Sequence, residues 1–263
     1  MKENTIELNS SETRNPVQSI TRAFDILETL AVNNKGLSLT EISGKLSLHK
    51  STAHRILSAL CERKYIEKQG RTYKLGLEFI HLSSQYLNSL ELKTEAEPFL
   101  KELSVLTRQT VFMAIRDKNE IVYIDKIEQF SSLRRYSVIG TRLPLYCTSL
   151  GRAFLMCEKD DELRDTIKQI DIKQRTPNTI TDPALLESLI KSFRTRGWTE
   201  DNEENQNGVR CAGAPVFDYR NKIIAAISTV WDAENSETDP VKNGMLVKKT
   251  AERISGRFGW FVP

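Results

Sequence analysis

Between Leu37 and Leu75 the chain carries side chains suited to gripping a polyanion. His49, Lys50, Ser51, Thr52, His54 and Arg55 occupy the first turns and outer face of a predicted helix whose inward stripe is Ala53, Ile56, Leu57 and Leu60. Small hydroxyls and cations at a helix start suit a helix pushed end-on into a major groove, where they meet phosphates and base edges. Gln69-Gly70 reads as the tip of a two-stranded wing, with Arg71 and Lys74 beside it. Two short amphipathic helices also describe ordinary helical core, so charge has to decide. From Thr40 to Leu75, Lys45, Lys50, Arg55, Arg63, Lys64, Lys68, Arg71 and Lys74 face only Glu41, Glu62 and Glu67, an excess of five positive charges. That is the footprint of a phosphate binder. The whole chain is only +3, so one basic module is joined to a slightly acidic remainder. Ser51, Thr52, His54 and Arg55 are assigned to the groove, and Lys50 and Arg71 to phosphates. Arg22, outside the apolar stripe of an earlier helix, suits a phosphate contact and a solvated position equally well.

Other chemistry is thinly supplied. Cys61, Cys147, Cys157 and Cys211 are scattered without C-x-x-C spacing, and the three histidines, His49, His54 and His81, all precede residue 82. A structural zinc site is not expected, and no cofactor is implied. A nucleophilic Cys211 would need a nearby base, and no histidine lies in its half of the chain. A buried strand cysteine is more often a small hydrophobe. The thiols are expected to be reduced, as in a cytoplasmic protein.

These residues need elements to hold them. The polar stretch Met1–Asn15 has no apolar core; it reads as a disordered arm rather than a secretory signal. No apolar run approaches the length of a membrane span. A helix is predicted over Pro16–Val32, with the stripe Ile20, Ala23, Phe24, Ile26, Leu27 and Leu30. Ser38 and Glu41 have capping-box spacing at the start of the helix pair. A linking helix over Gly76–Leu90 keeps Leu77, Ile80, Tyr86, Leu87 and Leu90 in helical period, and a second copy of itself is the simplest partner for that face. The second domain opens with a helix over Leu92–Gln109. Strands follow over Thr110–Arg116, Glu120–Ile127 and Leu133–Ile139, and Gly140–Pro144 breaks the pattern. Helices are expected from Thr148/Ser149 to Cys157, Asp160–Ile170 and Pro183–Arg196, the last capped by Gly197. Strands over Trp198–Glu203, Val209–Phe217 and Lys222–Trp231 precede a closing helix, Val241–Phe258. Antiparallel strands with helices grouped between them indicate an α+β fold. The expected division is an arm over 1–15, a winged helix-turn-helix over 16–76, a linker helix over 77–91 and a ligand domain over 92–263.

Ser19-Ile-Thr-Arg-Ala-Phe-Asp-Ile-Leu27, Lys50-Ser-Thr-Ala-His-Arg-Ile-Leu57, Tyr73-Lys-Leu-Gly76, Gly140-Thr-Arg-Leu-Pro-Leu145, Thr148-Ser-Leu-Gly-Arg-Ala153 and Gly208-Val-Arg-Cys-Ala-Gly-Ala-Pro-Val-Phe-Asp218 stand in an order and spacing that resembles the IclR (isocitrate lyase regulator) family of bacterial transcription regulators. The resemblance runs from Val17 to Phe258. Ile121–Ile127, Leu133–Ser137 and Glu200–Glu204 look most like the sugar-acid-sensing subgroup typified by the ketodeoxygluconate regulator. It implies a winged helix-turn-helix, a linker helix and a C-terminal GAF-like effector domain with an antiparallel sheet. It also implies a dimer or tetramer on double-stranded, pseudo-palindromic operator DNA that responds to a small carboxylate. Carried over by position, the backbone N–H groups of Ser149 and Leu150 would meet that carboxylate, as helix N-termini meet anions. Asp201, Cys211 and Ser228 fall on the family's other pocket positions. Tyr146 is a further candidate for the lining, with core packing an equal alternative. Val230 stands where the best-known members carry a second serine. This counts against a small glyoxylate- or pyruvate-like ligand and leaves room for an aldonate or a 2-keto-3-deoxy sugar acid.

The resulting expectation is a cytoplasmic, ligand-responsive repressor of sugar-acid catabolic genes, without enzymatic activity. An enzyme acting on a small organic acid with a fused DNA-binding domain, and a ligand-free architectural protein, are the competing classes.

Overall fold

The computed structural model describes residues 17–88, 91–128 and 138–261, and the chain divides into two compact units between Leu87 and Asn88. The arm expected over 1–15 lies outside the described residues. In the first unit the order is α1 (Gln18–Ala31), β1 (Leu37–Ser38), α2 (Leu39–Lys45), α3 (Lys50–Glu62), β2 (Ile66–Gln69), β3 (Thr72–Leu75) and α4 (Glu78–Asn88). The capping box forms: the Glu41 N–H donates to Ser38 Oγ at 3.3 Å, and the Ser38 N–H donates to Glu41 Oε2 at 2.7 Å. Two orphan donors at the start of α2 are thereby satisfied. Ile26, Leu30, Ile42, Leu57, Ile66 and Tyr73 make the core.

The apolar stripe of α1 divides. Ile26 and Leu30 are buried, while Ile20 and Phe24 are exposed. The wing has three strands rather than two. Ser38 is already extended as the N-cap of α2, so Leu37 and Ser38 pair with Tyr73 and Thr72 on the open edge of β3. Gly76 is required by close approach, since a Cβ there would lie 2.1 Å from the Lys64 carbonyl oxygen. α4 is shorter than Gly76–Leu90, and Leu90 lies outside the described residues.

The second unit runs α5 (Glu91–Thr107), β4 (Thr110–Asp117), β5 (Glu120–Ile127), β6 (Arg142–Pro144), α6 (Ser149–Leu155), α7 (Asp160–Gln169), α8 (Pro183–Arg196), β7 (Thr199–Asn202), β8 (Val209–Phe217), β9 (Ile223–Asp232) and α9 (Pro240–Arg257). Its six strands form one antiparallel sheet in the order β6-β5-β4-β9-β8-β7. Strand alternation sends Phe112, Ala114, Tyr123, Ala226 and Val230 into a core shared with α6, α7 and α8. The intervening residues Val111, Met113 and Ile227 are equally buried, on the face where α5 and α9 pack against β4, β8 and β9. The predicted cap of α8 is present, with Gly197 at φ 77°.

Two expectations change. Gly140–Pro144 is not merely a break: Arg142–Pro144 is the edge strand β6, pairing Leu143 with Ile121. Pro144 is tolerated because an edge position asks for no donor on its outer side. The strand expected over Leu133–Ile139 lies outside the described residues up to 137, and Val138 begins a turn in which its carbonyl accepts from the Thr141 N–H at 3.0 Å.

Candidate functional site

Each unit offers a candidate surface. In the first, α3 begins at Lys50 and presents Lys50, Ser51, His54 and Arg55 as exposed side chains, with Thr52 half-buried. Arg71 is exposed at the wing tip, where Gly70 takes φ 60° and Thr72 Oγ donates to the Gln69 carbonyl at 3.0 Å. No salt bridge engages Lys50, Arg55 or Arg71 among the described residues, so their charge stays available for an external anion. Arg22 is half-buried and joins Thr52 and Arg55 in the wall of a groove of about 860 Å³. The exposed residues Ile20 and Phe24 of α1 line the same groove.

In the second unit, register assembles the expected ligand residues from distant stretches of chain. Asp201 on β7 pairs with Cys211 on β8, which pairs with Val230 on β9. One step along the same face, Gly213 pairs with Ser228, which pairs with Phe112 on β4. These rows form the floor of a cavity of about 230 Å³, with Ser149 and Leu150 of α6 in its wall. Phe112 and Tyr123 also line it, stacked with ring centroids 4.6 Å apart. α6 reaches the sheet because β8 has no side chain at Gly213; a Cβ there would lie 2.8 Å from the Ser149 carbonyl oxygen. The Thr199 hydroxyl donates to that same oxygen at 2.6 Å. Thr148 caps α6, accepting from the Gly151 N–H at 3.0 Å. The N–H groups of Ser149 and Leu150, in the first turn, have no intrahelical acceptor.

The loop after β7 is tied to α6 by charge. Arg152 is fully buried; its guanidinium meets both carboxylate oxygens of Glu204 and donates to the Glu200 and Tyr146 carbonyls, each at 2.8 Å. Glu204 belongs to the loop after β7, which Asp201 closes by accepting from the Glu204 N–H at 2.8 Å and the Asn205 N–H at 3.4 Å. Burial pushes the Asp201 carboxyl up to about 7, the Glu204 charge adding to the rise while the loop N–H bonds and Arg152 oppose it. Burial also pushes the neighbouring Cys147 thiol up to about 12 and the Tyr123 phenol well above its ordinary range. Cys147 and Tyr123 therefore favour their neutral forms, which suits hydrogen bonding to a ligand better than nucleophilic attack. Among the described residues no cluster of three or more His, Cys, Asp or Glu is arranged to hold a metal.

Five of the six expected ligand residues, Ser149, Leu150, Asp201, Cys211 and Ser228, therefore line one cavity. Tyr146 does not. Its ring is buried and its hydroxyl is spent outside the cavity, donating to the Lys173 carbonyl at 2.7 Å and accepting from the Lys173 N–H at 3.1 Å. The sequence reading missed Arg175, Asn205 and Gln206, which also line the cavity. A signal for Arg175 was present: the connection 170–182 between α7 and α8 is long and irregular, a kind of segment that is uncommon in compact domains unless it has work to do.

Residues 84–256 match the family described as bacterial transcriptional regulator IclR C-terminal, and residues 19–70 match the IclR helix-turn-helix domain. The chain is 32% identical over 247 residues to the HTH-type transcriptional regulator KdgR of Escherichia coli (strain K12), covering 93% of this chain and 94% of that protein. It is 33% identical over 246 residues to the HTH-type transcriptional repressor AllR of the same organism, covering 92% and 90%. Among solved structures, the Thermotoga maritima IclR is similar at a TM-score of 0.81 and 31% identity, over 93% of this chain and 100% of that one.

Proposed function

This chain belongs to the IclR family of bacterial transcriptional regulators, and from that premise we propose that it represses sugar-acid catabolic genes until a small carboxylate, an aldonate or a 2-keto-3-deoxy sugar acid, occupies the cavity of its second unit. It is a ligand-responsive DNA-binding regulator. The observation that carries the ligand assignment is the cavity itself. Residues from α6, β7, β8 and β9, separated by up to 79 positions between Ser149 and Ser228, meet around about 230 Å³. That is smaller than the usual drug-sized site and suits a small metabolite.

The assignment of parts follows. Residues 16–76 dock on DNA, with Ser51, Thr52, His54 and Arg55 in the groove and Lys50, Arg71 and Arg22 on phosphates. Residues 77–91 link, and 92–263 bind the effector. In the cavity, Ser149 and Leu150 N–H groups meet the carboxylate, and Asp201, Cys211 and Ser228 meet keto or hydroxyl oxygens. The chain acts as a homodimer or homotetramer in the cytoplasm, on a pseudo-palindromic operator. Exposed Leu77, just before α4, and Ile80 and Tyr86 on it support self-association, which light scattering after size-exclusion chromatography measures. No helix among the described residues is long and apolar enough to cross a membrane. Ligand binding changes operator affinity only through different affinities for two states of the protein.

The test is fluorescence anisotropy on the DNA upstream of the protein's own and neighbouring genes, at two salt concentrations, with and without a panel of aldonic and 2-keto-3-deoxy acids. Selective binding weakened by one acid supports the reading. Selective binding that no acid alters removes the ligand assignment and leaves the DNA module. Reporter expression in a deletion strain reads the sign of control: a fall in target expression overturns repression. Turnover of any acid in the panel would place the protein among the enzymes instead.

A further inference from the structure

Arg175 lies on the irregular segment between α7 and α8 and forms part of the cavity lining. That segment is fastened as a strap. Thr176 Oγ donates to the Glu203 carbonyl and Thr179 Oγ to the Glu204 carbonyl, each at 2.7 Å. Thr179 Oγ in turn accepts from the Arg175 N–H at 3.1 Å. Tyr146 holds the preceding turn through both backbone groups of Lys173. The backbone of Arg175 is therefore fixed on the loop that Asp201 closes.

Its side chain is not consumed. A guanidinium has five donors, and this one makes a single long bond, Nε to the Asn205 carbonyl at 3.4 Å. No salt bridge engages it among the described residues. Arg152, the other guanidinium beside the cavity, is by contrast fully committed to Glu204 and two carbonyls. Asp201 is the one carboxylate in the lining among the described residues, and it is buried. A carboxylate ligand entering here leaves water and needs an opposite charge, because an unpaired buried anion is costly. Among the described residues Arg175 is the one formal cation in the lining.

We infer that Arg175 is the counter-charge for the effector: its free guanidinium nitrogens close on the ligand's carboxylate from the strap side and set the preference for an acid over the neutral alcohol of the same size. This rests on the carboxylate reading proposed above. The planar fork matches a carboxylate in two bonds, and the pinned backbone lowers the ordering cost of binding. The strap and the loop after β7 would then be joined a second time, through the ligand.

The experiment is isothermal titration calorimetry of the full chain, its Arg175→Gln and its Arg175→Lys variants. The probes are D-gluconate, 2-keto-3-deoxy-D-gluconate and pyruvate, each beside the alcohol that carries CH2OH in place of the carboxylate. The parent is expected to prefer an acid. Arg175→Gln is expected to lose roughly 10- to 150-fold in acid affinity, the worth of a charge-assisted bond, with its affinity for the alcohol unchanged. Arg175→Lys is expected to keep part of the preference. An unliganded melting temperature equal to the parent's shows that the strap is intact. If the parent binds an acid and Arg175→Gln binds it as tightly, or loses acid and alcohol equally, the role of Arg175 is overturned and the cavity reading stands. If the parent binds none of the acids, the carboxylate reading is overturned and this assignment falls with it.

Discussion

Replacing Asp201 by Asn should change how the second unit's stability depends on pH. In the folded chain burial raises this carboxyl from its ordinary 3.8 to about 7. Between these values the folded state holds a proton that the unfolded state has released. Stability therefore falls as pH rises through this window and is level above it. Full ionisation corresponds to about three pK units, or about 4 kcal/mol at about 1.4 kcal/mol per unit. Much of that is lost below pH 5.5, so the usable interval from pH 5.5 to 8 contains about 2 kcal/mol. Asn keeps an acceptor for the Glu204 and Asn205 N–H groups and removes the charge. The neighbouring Arg152 and Glu204 charges remain in both proteins, so their contributions largely cancel in the difference. Trp198, Trp231 and Trp260 all belong to the second unit, so urea unfolding followed by tryptophan fluorescence reports that unit alone. The variant should gain about 2 kcal/mol on the parent between pH 5.5 and 8. Parallel profiles, or a variant that loses ground as pH rises, would refute the reasoning.

Three further outcomes follow from the same contacts. Arg152→Leu leaves the buried Glu204 without its partner and should cost about 3–5 kcal/mol in the same urea assay; a loss under 1 kcal/mol would mean that the ion pair does not hold the loop. Gly213→Ala drives a methyl group against the Ser149 backbone, and should cost about 1–3 kcal/mol together with ligand affinity; intact affinity would show that α6 can move without harm. In competition binding, Lys50→Ala should weaken all DNA sequences alike and lower the salt slope by about one unit, whereas Arg55→Ala should relax sequence preference; equal changes in preference would contradict the division between phosphate and groove contacts.

Local signals were legible where local physics decides. Ser38 and Glu41 cap α2 because both halves of the box lie within one turn, and Gly197 ends α8 because only glycine takes φ 77° cheaply. The ends of α8 and β8 fall where the sequence places them. The third wing strand was not legible, because its two residues pair with a strand 34 positions onward, Leu37 with Tyr73 being the longer step. β6 was hidden for a similar reason: a three-residue edge strand containing proline carries almost no propensity. For Tyr146 the sequence leaves cavity lining and core packing equally open, because the two look alike there; the structure buries its ring outside the lining. Its hydroxyl partner, the backbone of Lys173, is set by where the strap lies.

The strap explains why the site was only partly readable. Ser149, Asp201, Cys211 and Ser228 sit on regular elements, where strand register and a helix start fix direction. Arg175 and Asn205 sit on irregular chain whose course is fixed by hydrogen bonds from residues distant in sequence: Thr176 and Thr179 on the carbonyls of Glu203 and Glu204, and Arg152 of α6 on the carboxylate of Glu204. No periodicity records such contacts. On the proposed reading they contribute to what the cavity recognises, since the loops add the Arg175 cation to the polar groups of the sheet. A ligand that touches both Ser149 and Arg175 spans α6 and the strap. Binding it favours whichever state of the second unit holds those two segments at that spacing, and that difference in affinity is the quantity a regulator must convert into a change at DNA.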